Sequence, residues 1–196
     1  RIGATSAGGV NRPALSPSDI DACRLLVGWG TSIGLVPSRD AAGNLFLRLQ
    51  GTDRDAAPVM SGSHLDSQPT GGKYDGVYGV LAALEACEAI LSSGLAPRRS
   101  IDVVAWMNEE GGRFAPGMMG SAVFAGARAI DEILAVSDDA GVTVRDALVA
   151  AQEELADIPL RELGGDVFAY VEAHIEQGPV LERLGKTIGI VSGIQG

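Results

Sequence analysis

The sequence is poor in basic residues and has no long apolar run. Lysine and arginine together number 15 against 25 aspartates and glutamates, which gives a formal net charge of −10. Nucleic acids and anionic membranes bind basic patches, so neither is an expected partner. No apolar stretch approaches the roughly 20 residues that span a bilayer, and no signal peptide opens the chain. We therefore expect a cytoplasmic protein whose partner is a small molecule.

Cysteine and histidine are equally scarce, with two of each. Cys23 and Cys87 lack the paired spacing of a disulfide framework or a thiolate metal site, so we expect buried, unpaired thiols in a reducing compartment. His64 and His174 are the only imidazoles available for metal binding or proton transfer.

Hydrophobic periodicity predicts an α/β protein. A helix is expected over residues 18–34, capped by Ser18 or Asp21. The other expected helices are 75–91, 119–125 and a surface helix at 140–155, and the expected strands are 44–50, 59–64, 100–108, 166–176 and 187–191. Strands that alternate with helices are typical of a three-layer sandwich around a mostly parallel sheet, which binds ligands beyond the carboxyl ends of its strands.

The length fits one domain of ordinary size. The chain starts with Arg1 rather than methionine, and its last residues, 193–196, resemble the interior of a longer sequence. We therefore expect residues 1–196 to be part of a larger protein.

Two acidic residues accompany His64. Asp66 lies two positions on, where a carboxylate on an extended chain can orient the imidazole of a metal ligand. Asp75 follows a glycine-rich approach, and its carboxylate could bind two cations through its two oxygens. Simpler alternatives are a hydrogen-bonded histidine and a helix cap at Asp75.

Two further acidic motifs also follow predicted strands. Glu109 and Glu110 should point to opposite sides, so that one can bind metal while the other transfers protons. Glu172, His174 and Glu176 should alternate onto one face of a strand. Solvated acidic surfaces are the alternative in both places.

The convergence of these four motifs at one predicted sheet edge favours a metal site over four unrelated surface features. Histidine and carboxylate ligands without cysteine suit zinc, manganese or a similar divalent ion.

The same residues resemble the hydantoinase/carbamoylase family of amidases, which is related to metal-dependent aminoacylases and carboxypeptidases. The resemblance covers essentially the whole chain, and the motifs that carry it are Gly-Ser-His-Leu-Asp-Ser at 62–67, Gly-Lys-Tyr-Asp-Gly at 72–76, Trp-Met-Asn-Glu-Glu-Gly at 106–111 and Ala-His-Ile-Glu-Gln-Gly-Pro at 173–179.

The resemblance implies a site with two divalent ions, zinc or manganese, with cobalt or nickel as alternatives. His64 and His174 would hold one ion, Asp75 would bridge the two, and Glu110 would bind the second. The peptidase relatives usually have a carboxylate at the position of His174, which favours the carbamoylase branch.

The resemblance also implies the roles of neighbouring residues. Glu109 would be the general base, Asp66 would support His64 from behind, and Gln177 and Arg113 would contact the substrate. The implied reaction is hydrolysis of N-carbamoyl amino acids. Allantoate hydrolysis, an aminoacylase or peptidase activity, and a metal-binding domain without catalysis are the alternatives.

The chain departs from the family pattern in two respects. Family members use one more metal-binding histidine from a late segment, and this sequence has no third histidine. The inserted domain through which the family forms homodimers would begin near residue 196. We therefore expect an incomplete catalytic domain, inactive or weakly active alone, that lacks the dimerisation domain and the C-terminal part of the catalytic domain.

Overall fold

The computed structural model describes residues 2–193. Strands and helices are mixed along the described residues, in runs of one to three elements of the same kind. In order, the elements are α1 (Pro17–Ser32), β1 (Val36–Arg39), β2 (Leu45–Leu49), β3 (Val59–His64), α2 (Val77–Ser92), β4 (Ile101–Trp106), α3 (Met119–Phe124), α4 (Ile130–Leu134), α5 (Val144–Glu154), β5 (Ala169–Val171) and α6 (Val180–Arg183).

The five strands form one sheet in the order β1-β2-β4-β3-β5. β3 pairs in parallel with β4 and β5, whereas β2 is antiparallel to both β4 and β1. Four strands therefore share one direction, which confirms the predicted α/β class with a mostly parallel sheet. His64 and Trp106 are register partners, so the residues that follow β3 and β4 emerge at the same edge.

The two faces of the sheet carry different apolar clusters. On one face, α1 and α2 pack through residues such as Leu26 and Val80 against Leu47 and Val103 of the sheet. The opposite face has a smaller cluster of Phe46, Met60 and Val104, flanked by Trp106 and Phe124. No helix within residues 2–193 is long and apolar enough to cross a membrane.

The start of α1 differs from the prediction. Ser16 is the N-cap, and its hydroxyl accepts a hydrogen bond from the Asp19 amide at 3.3 Å. Pro17 then occupies the first helical turn, where a missing N–H is tolerated. Neither Ser18 nor Asp21 is the cap, because both lie inside the helix.

The C-terminal third differs most. The strand expected at 166–176 is reduced to Ala169–Val171, and residues 187–191 form no strand. Ile188 and Ile190 are largely exposed, and a strand without a neighbour leaves its backbone groups unpaired. The surface helix expected at 140–155 begins only at Val144, after the Thr143 cap, and ends at Glu154. Its inner side is buried and its outer side is exposed.

Three short elements escaped the sequence analysis: β1, α4 and α6. β1 contains Pro37, and proline argues against a strand in a sequence. Proline is tolerated here because β1 lies at the edge of the sheet. Both cysteines are unpaired as expected, with Cys87 buried and Cys23 half-buried.

Candidate metal centre

His64 ends strand β3, and its side chain is only 2% exposed. Its Nδ1 lies 2.8 Å from the main-chain oxygen of Asp66, so Nδ1 carries the proton and donates to that carbonyl. This tautomer leaves the Nε2 lone pair free for a cation. A Cβ on Gly76 would lie 2.4 Å from the His64 ring, so glycine at this position makes room for the imidazole.

The carboxylate of Asp66 contacts the acidic turn as well as the histidine. Its Oδ1 lies 3.7 Å from His64 Nδ1 and accepts the Glu109 amide at 3.1 Å, while Oδ2 accepts the Glu110 amide at 3.2 Å. Burial raises the pKa of this carboxyl group, and the hydrogen bonds from the Glu109 and Glu110 amides oppose the rise. Asp66 therefore joins the end of β3 to the turn after β4.

Glu109 and Glu110 have separate surroundings. Glu109 Oε2 lies 3.4 Å from His64 Nε2, and burial raises the pKa of the Glu109 carboxyl group. Gln68 donates to the main-chain oxygen of Glu110 at 2.8 Å and to its Oε2 at 3.2 Å. Glu110 Oε1 is buried and has no hydrogen-bond partner among the residues that the structure describes. A cation would satisfy such an oxygen, because buried polar atoms without a partner are costly.

Asp75 and His174 meet on the other side of the site. His174 Nε2 lies 3.3 Å from Asp75 Oδ1, and Gln177 donates to Asp75 Oδ2 at 2.6 Å. The N-cap of α2 is Gly76, with no side-chain cap, so the alternative interpretation of Asp75 as a helix cap is wrong. The carboxylate is therefore available to the site.

His64, Asp75 and His174 together form a candidate ligand set. One ligand atom from each lies within 4.8 Å of the others, and the two imidazole centroids are 6.3 Å apart. Two imidazoles and a carboxylate are donors that zinc and manganese both accept. The residues present thus fit a divalent ion, and the unpartnered Glu110 oxygen fits a second cation.

Comparison with known proteins agrees with this chemistry. The sequence model of peptidase family M20/M25/M40 matches residues 60–192. The chain belongs to this family. An N-carbamoyl-L-amino-acid amidohydrolase from Rhizobium meliloti is 44% identical, and the match covers all of this chain and 46% of that protein. A ureidoglycolate hydrolase from Oryza sativa subsp. japonica is 41% identical over 94% of this chain and 39% of its own length.

A solved structure gives the same result. The crystal structure of a hydantoinase/carbamoylase family amidase from Burkholderia ambifaria matches with a TM-score of 0.93 and 52% identity, covering 98% of this chain and 46% of that one. The resemblance drawn from the motifs is therefore confirmed. The chain spans less than half the length of these two curated relatives.

The glutamates on either side of His174 do not share its contacts in this M20 family member. β5 ends at Val171, so the predicted alternation of Glu172, His174 and Glu176 on one strand face is wrong. Glu172 accepts hydrogen bonds from Ser63 and Tyr170, and Glu176 accepts the main-chain amides at the start of α6.

Arg113 lies in a separate set of contacts. It pairs with Asp138 at 3.0 Å and donates to the Ala14 carbonyl oxygen at 2.9 Å. Neither contact involves a member of the ligand set. The role of Arg113 in substrate binding stays a prediction.

Sequence reasoning missed two residues that support the site, Gln68 and Ser63. Ser63 directly precedes His64 and Gln68 directly follows the 62–67 motif, and this proximity is the signal that could have indicated them. Their partners, Glu110 and Glu172, are distant in sequence and could not have been named.

Proposed function

We propose that the protein containing this chain hydrolyses the ureido group of N-carbamoyl amino acids. The observation that carries the proposal is the meeting of His64, Asp75 and His174, with a carboxylate oxygen of Glu109 3.4 Å from His64 Nε2. The name of the R. meliloti relative supports the choice of substrate.

His64, Asp75 and His174 would hold a divalent ion, zinc or manganese, and Asp75 with Glu110 would hold a second. When bound, such ions supply Lewis acidity, which polarises the ureido carbonyl and lowers the pKa of water. The buried, unpartnered oxygen of Glu110 supports its assignment as a ligand rather than a base.

Glu109 is the proposed general base. Its burial favours the protonated form, so it can hold a proton during the reaction rather than release it to solvent. Glu109 would take a proton from water as the water oxygen bonds to the ureido carbon. It would return that proton to the nitrogen of the amino acid as the bond between this nitrogen and the ureido carbon breaks. The carbamic acid released would then give ammonia and carbon dioxide.

Gln177 and Arg113 are the proposed substrate contacts. The amide of Gln177 lies within the site, where it is bonded to Asp75, whereas Arg113 would have to exchange its contact with Asp138. Gln177 is therefore the better supported of the two.

The architecture of the whole protein is also a proposal. Residues 1–196 would form the N-terminal part of the catalytic domain, because the matched relatives are more than twice as long. An inserted dimerisation domain and the rest of the catalytic domain would follow, supplying a further histidine ligand and a homodimer interface. The cytoplasmic location stays a prediction.

Ammonia release by the full-length protein tests this function. With added Mn²⁺ or Zn²⁺, we expect release from N-carbamoyl-L-amino acids or N-carbamoyl-β-alanine, measured against a metal-chelated control. A protein that releases none from these compounds or from allantoate contradicts the proposal.

The roles of the two glutamates can be separated by matched variants. Glu109→Gln should lower kcat by about 100-fold or more while metal content stays intact, because a lost general base typically costs that much. Glu110→Gln should lower metal content instead. Loss of metal from Glu109→Gln would show that the assignment of roles is wrong.

Allantoate or ureidoglycolate is the second candidate substrate class. The name of the rice relative favours ureidoglycolate, and allantoate carries the same ureido group. The same assay with these two compounds decides between the candidates by kcat/KM. N-acetyl amino acids and dipeptides in the panel would reveal an aminoacylase or peptidase.

A further inference from the structure

Hydrogen bonds between side chains connect β3, β4 and β5, the three neighbouring strands that pair in parallel, at their carboxyl ends. The indole of Trp106, at the end of β4, donates to the Tyr170 hydroxyl of β5 at 3.0 Å. Tyr170 donates to Glu172 Oε2 at 2.7 Å, and the Ser63 hydroxyl of β3 donates to Glu172 Oε1 at 2.5 Å. We call Trp106, Tyr170, Glu172 and Ser63 the edge network.

The edge network ends beside both candidate imidazole ligands. Ser63 directly precedes His64, and Glu172 stands two residues before His174. The contact between Ser63 and Glu172 therefore fixes the segment that carries one histidine to the strand that carries the other. Ser63 is buried, so its hydroxyl gives Glu172 a rigid anchor.

Apart from Glu172, the segment around His174 is attached to the site through Gln177, which donates to Asp75 Oδ2 at 2.6 Å. β5 ends at Val171, and the two ring nitrogens of His174 lie 3.3 Å from Asp75 Oδ1 and 2.8 Å from the Ile175 carbonyl oxygen. The backbone does approach α2 closely, because a Cβ on Gly79 would lie 2.5 Å from the Ala173 carbonyl oxygen. The close approach holds the segment against α2, and the Glu172 carboxylate ties it to Ser63 of β3 and Tyr170 of β5.

We propose that Glu172 is a positioning residue for His174, acting through Ser63 and Tyr170 to hold His174 at ligand distance from His64 and Asp75. Both carboxylate oxygens of Glu172 already accept hydroxyl protons, so its contacts are those of a support and not of a ligand. Trp106 donates to the Tyr170 oxygen, which leaves the hydroxyl proton of Tyr170 to donate. That proton has two acceptors within reach, Glu172 Oε2 at 2.7 Å and the Gly62 carbonyl oxygen at 3.2 Å, and the shorter contact is the one to Glu172.

This proposal rests on the proposed metal-dependent function, and metal titration of the full-length protein tests it. Glu172→Ala should raise the dissociation constant for Mn²⁺ by about tenfold or more, the usual effect of losing a residue that orients a ligand. Glu172→Gln should stay within about threefold of the wild type, because its amide can accept one hydroxyl proton and donate to the other oxygen.

A matched control removes the same charge from the same segment. Glu176→Gln lacks contact with Ser63 and should leave the Mn²⁺ dissociation constant within about twofold of the wild type. If Glu172→Ala does not fold, Tyr170→Phe removes one of the two hydroxyl donors and should weaken Mn²⁺ binding several-fold.

A crystal structure of the metal-free Glu172→Ala protein supplies a second measurement. We expect the distance between His174 Nε2 and Asp75 Oδ1 to lengthen from 3.3 Å to beyond hydrogen-bonding range. An unchanged distance with unchanged Mn²⁺ affinity would overturn the positioning role and leave the proposed hydrolysis intact. A wild type that releases no ammonia would instead reject the hydrolysis, and the crystallographic distance would still decide the role of Glu172.

Discussion

The side chain of His64 is 2% exposed and that of His174 is 33% exposed, although both rings approach Asp75. His64 ends a central strand and packs on Gly76, whereas His174 lies beyond the end of a three-residue edge strand. The His64 side is held by packing and the His174 side by a few polar contacts. Preorganisation on one side therefore depends on shape, and on the other on individual hydrogen bonds.

The largest expected difference in stability between the His64 side and the His174 side comes from adding a methyl group to a glycine on each side. Gly76→Ala places a Cβ 2.4 Å from the His64 ring at a backbone φ of +65°, so we expect destabilisation of about 3 kcal/mol or more and loss of metal binding. Gly178→Ala meets its nearest atoms only at 3.8 Å, and unfolding in urea should show a change below about 0.5 kcal/mol. Equal effects would contradict the difference between the two sides.

Replacing one carboxylate by an amide on each side should give a smaller difference in stability. Asp66 and Glu176 each accept two main-chain amides, but Asp66 is buried and Glu176 is exposed. Asp66→Asn turns an N–H donor towards one of those amides, so we expect a loss of about 2 kcal/mol in the free energy of unfolding. Glu176→Gln should cost less than about 1 kcal/mol. Denaturant unfolding of both variants checks the order.

The smallest effect that we expect is a pH dependence of stability, and it comes from Asp19 on the His64 side. Burial raises the pKa of Asp19, near Arg12 and Asp66, to about 7 from an ordinary 3.8. The folded state then holds a proton that the unfolded state has released, so this contribution to stability is lost as pH rises through 7. Between pH 6 and 8 the loss should be roughly 1 kcal/mol.

Asp19→Asn provides the control for that pH dependence. The variant keeps an oxygen to accept the Leu15 amide but cannot titrate, so its stability should change less over the same interval. Urea unfolding of both proteins at pH 6, 7 and 8 measures the difference. Equal changes in stability for the wild type and Asp19→Asn over this interval would show that Asp19 is charged in the folded state.

The buried part of the molecule was predictable where local pattern and tertiary environment agree. The strand 59–64 was predicted with the bounds that the structure gives, because a short apolar run before polar residues is typical of a buried parallel strand. The strand at 166–176 failed for the opposite reason. The alternation of Glu172, His174 and Glu176 predicted a strand, but among the described residues no strand pairs with this segment beyond Val171.

The sequence by itself determined the chemistry of this protein: two imidazoles, a set of carboxylates and the family motifs that contain them. Only the tertiary structure decided how these groups are held. The contacts of Ser63 with Glu172 and of Gln68 with Glu110 join residues 109 and 42 positions apart. Local periodicity reports which face of an element is buried, and it carries no information about which distant side chain will lie opposite.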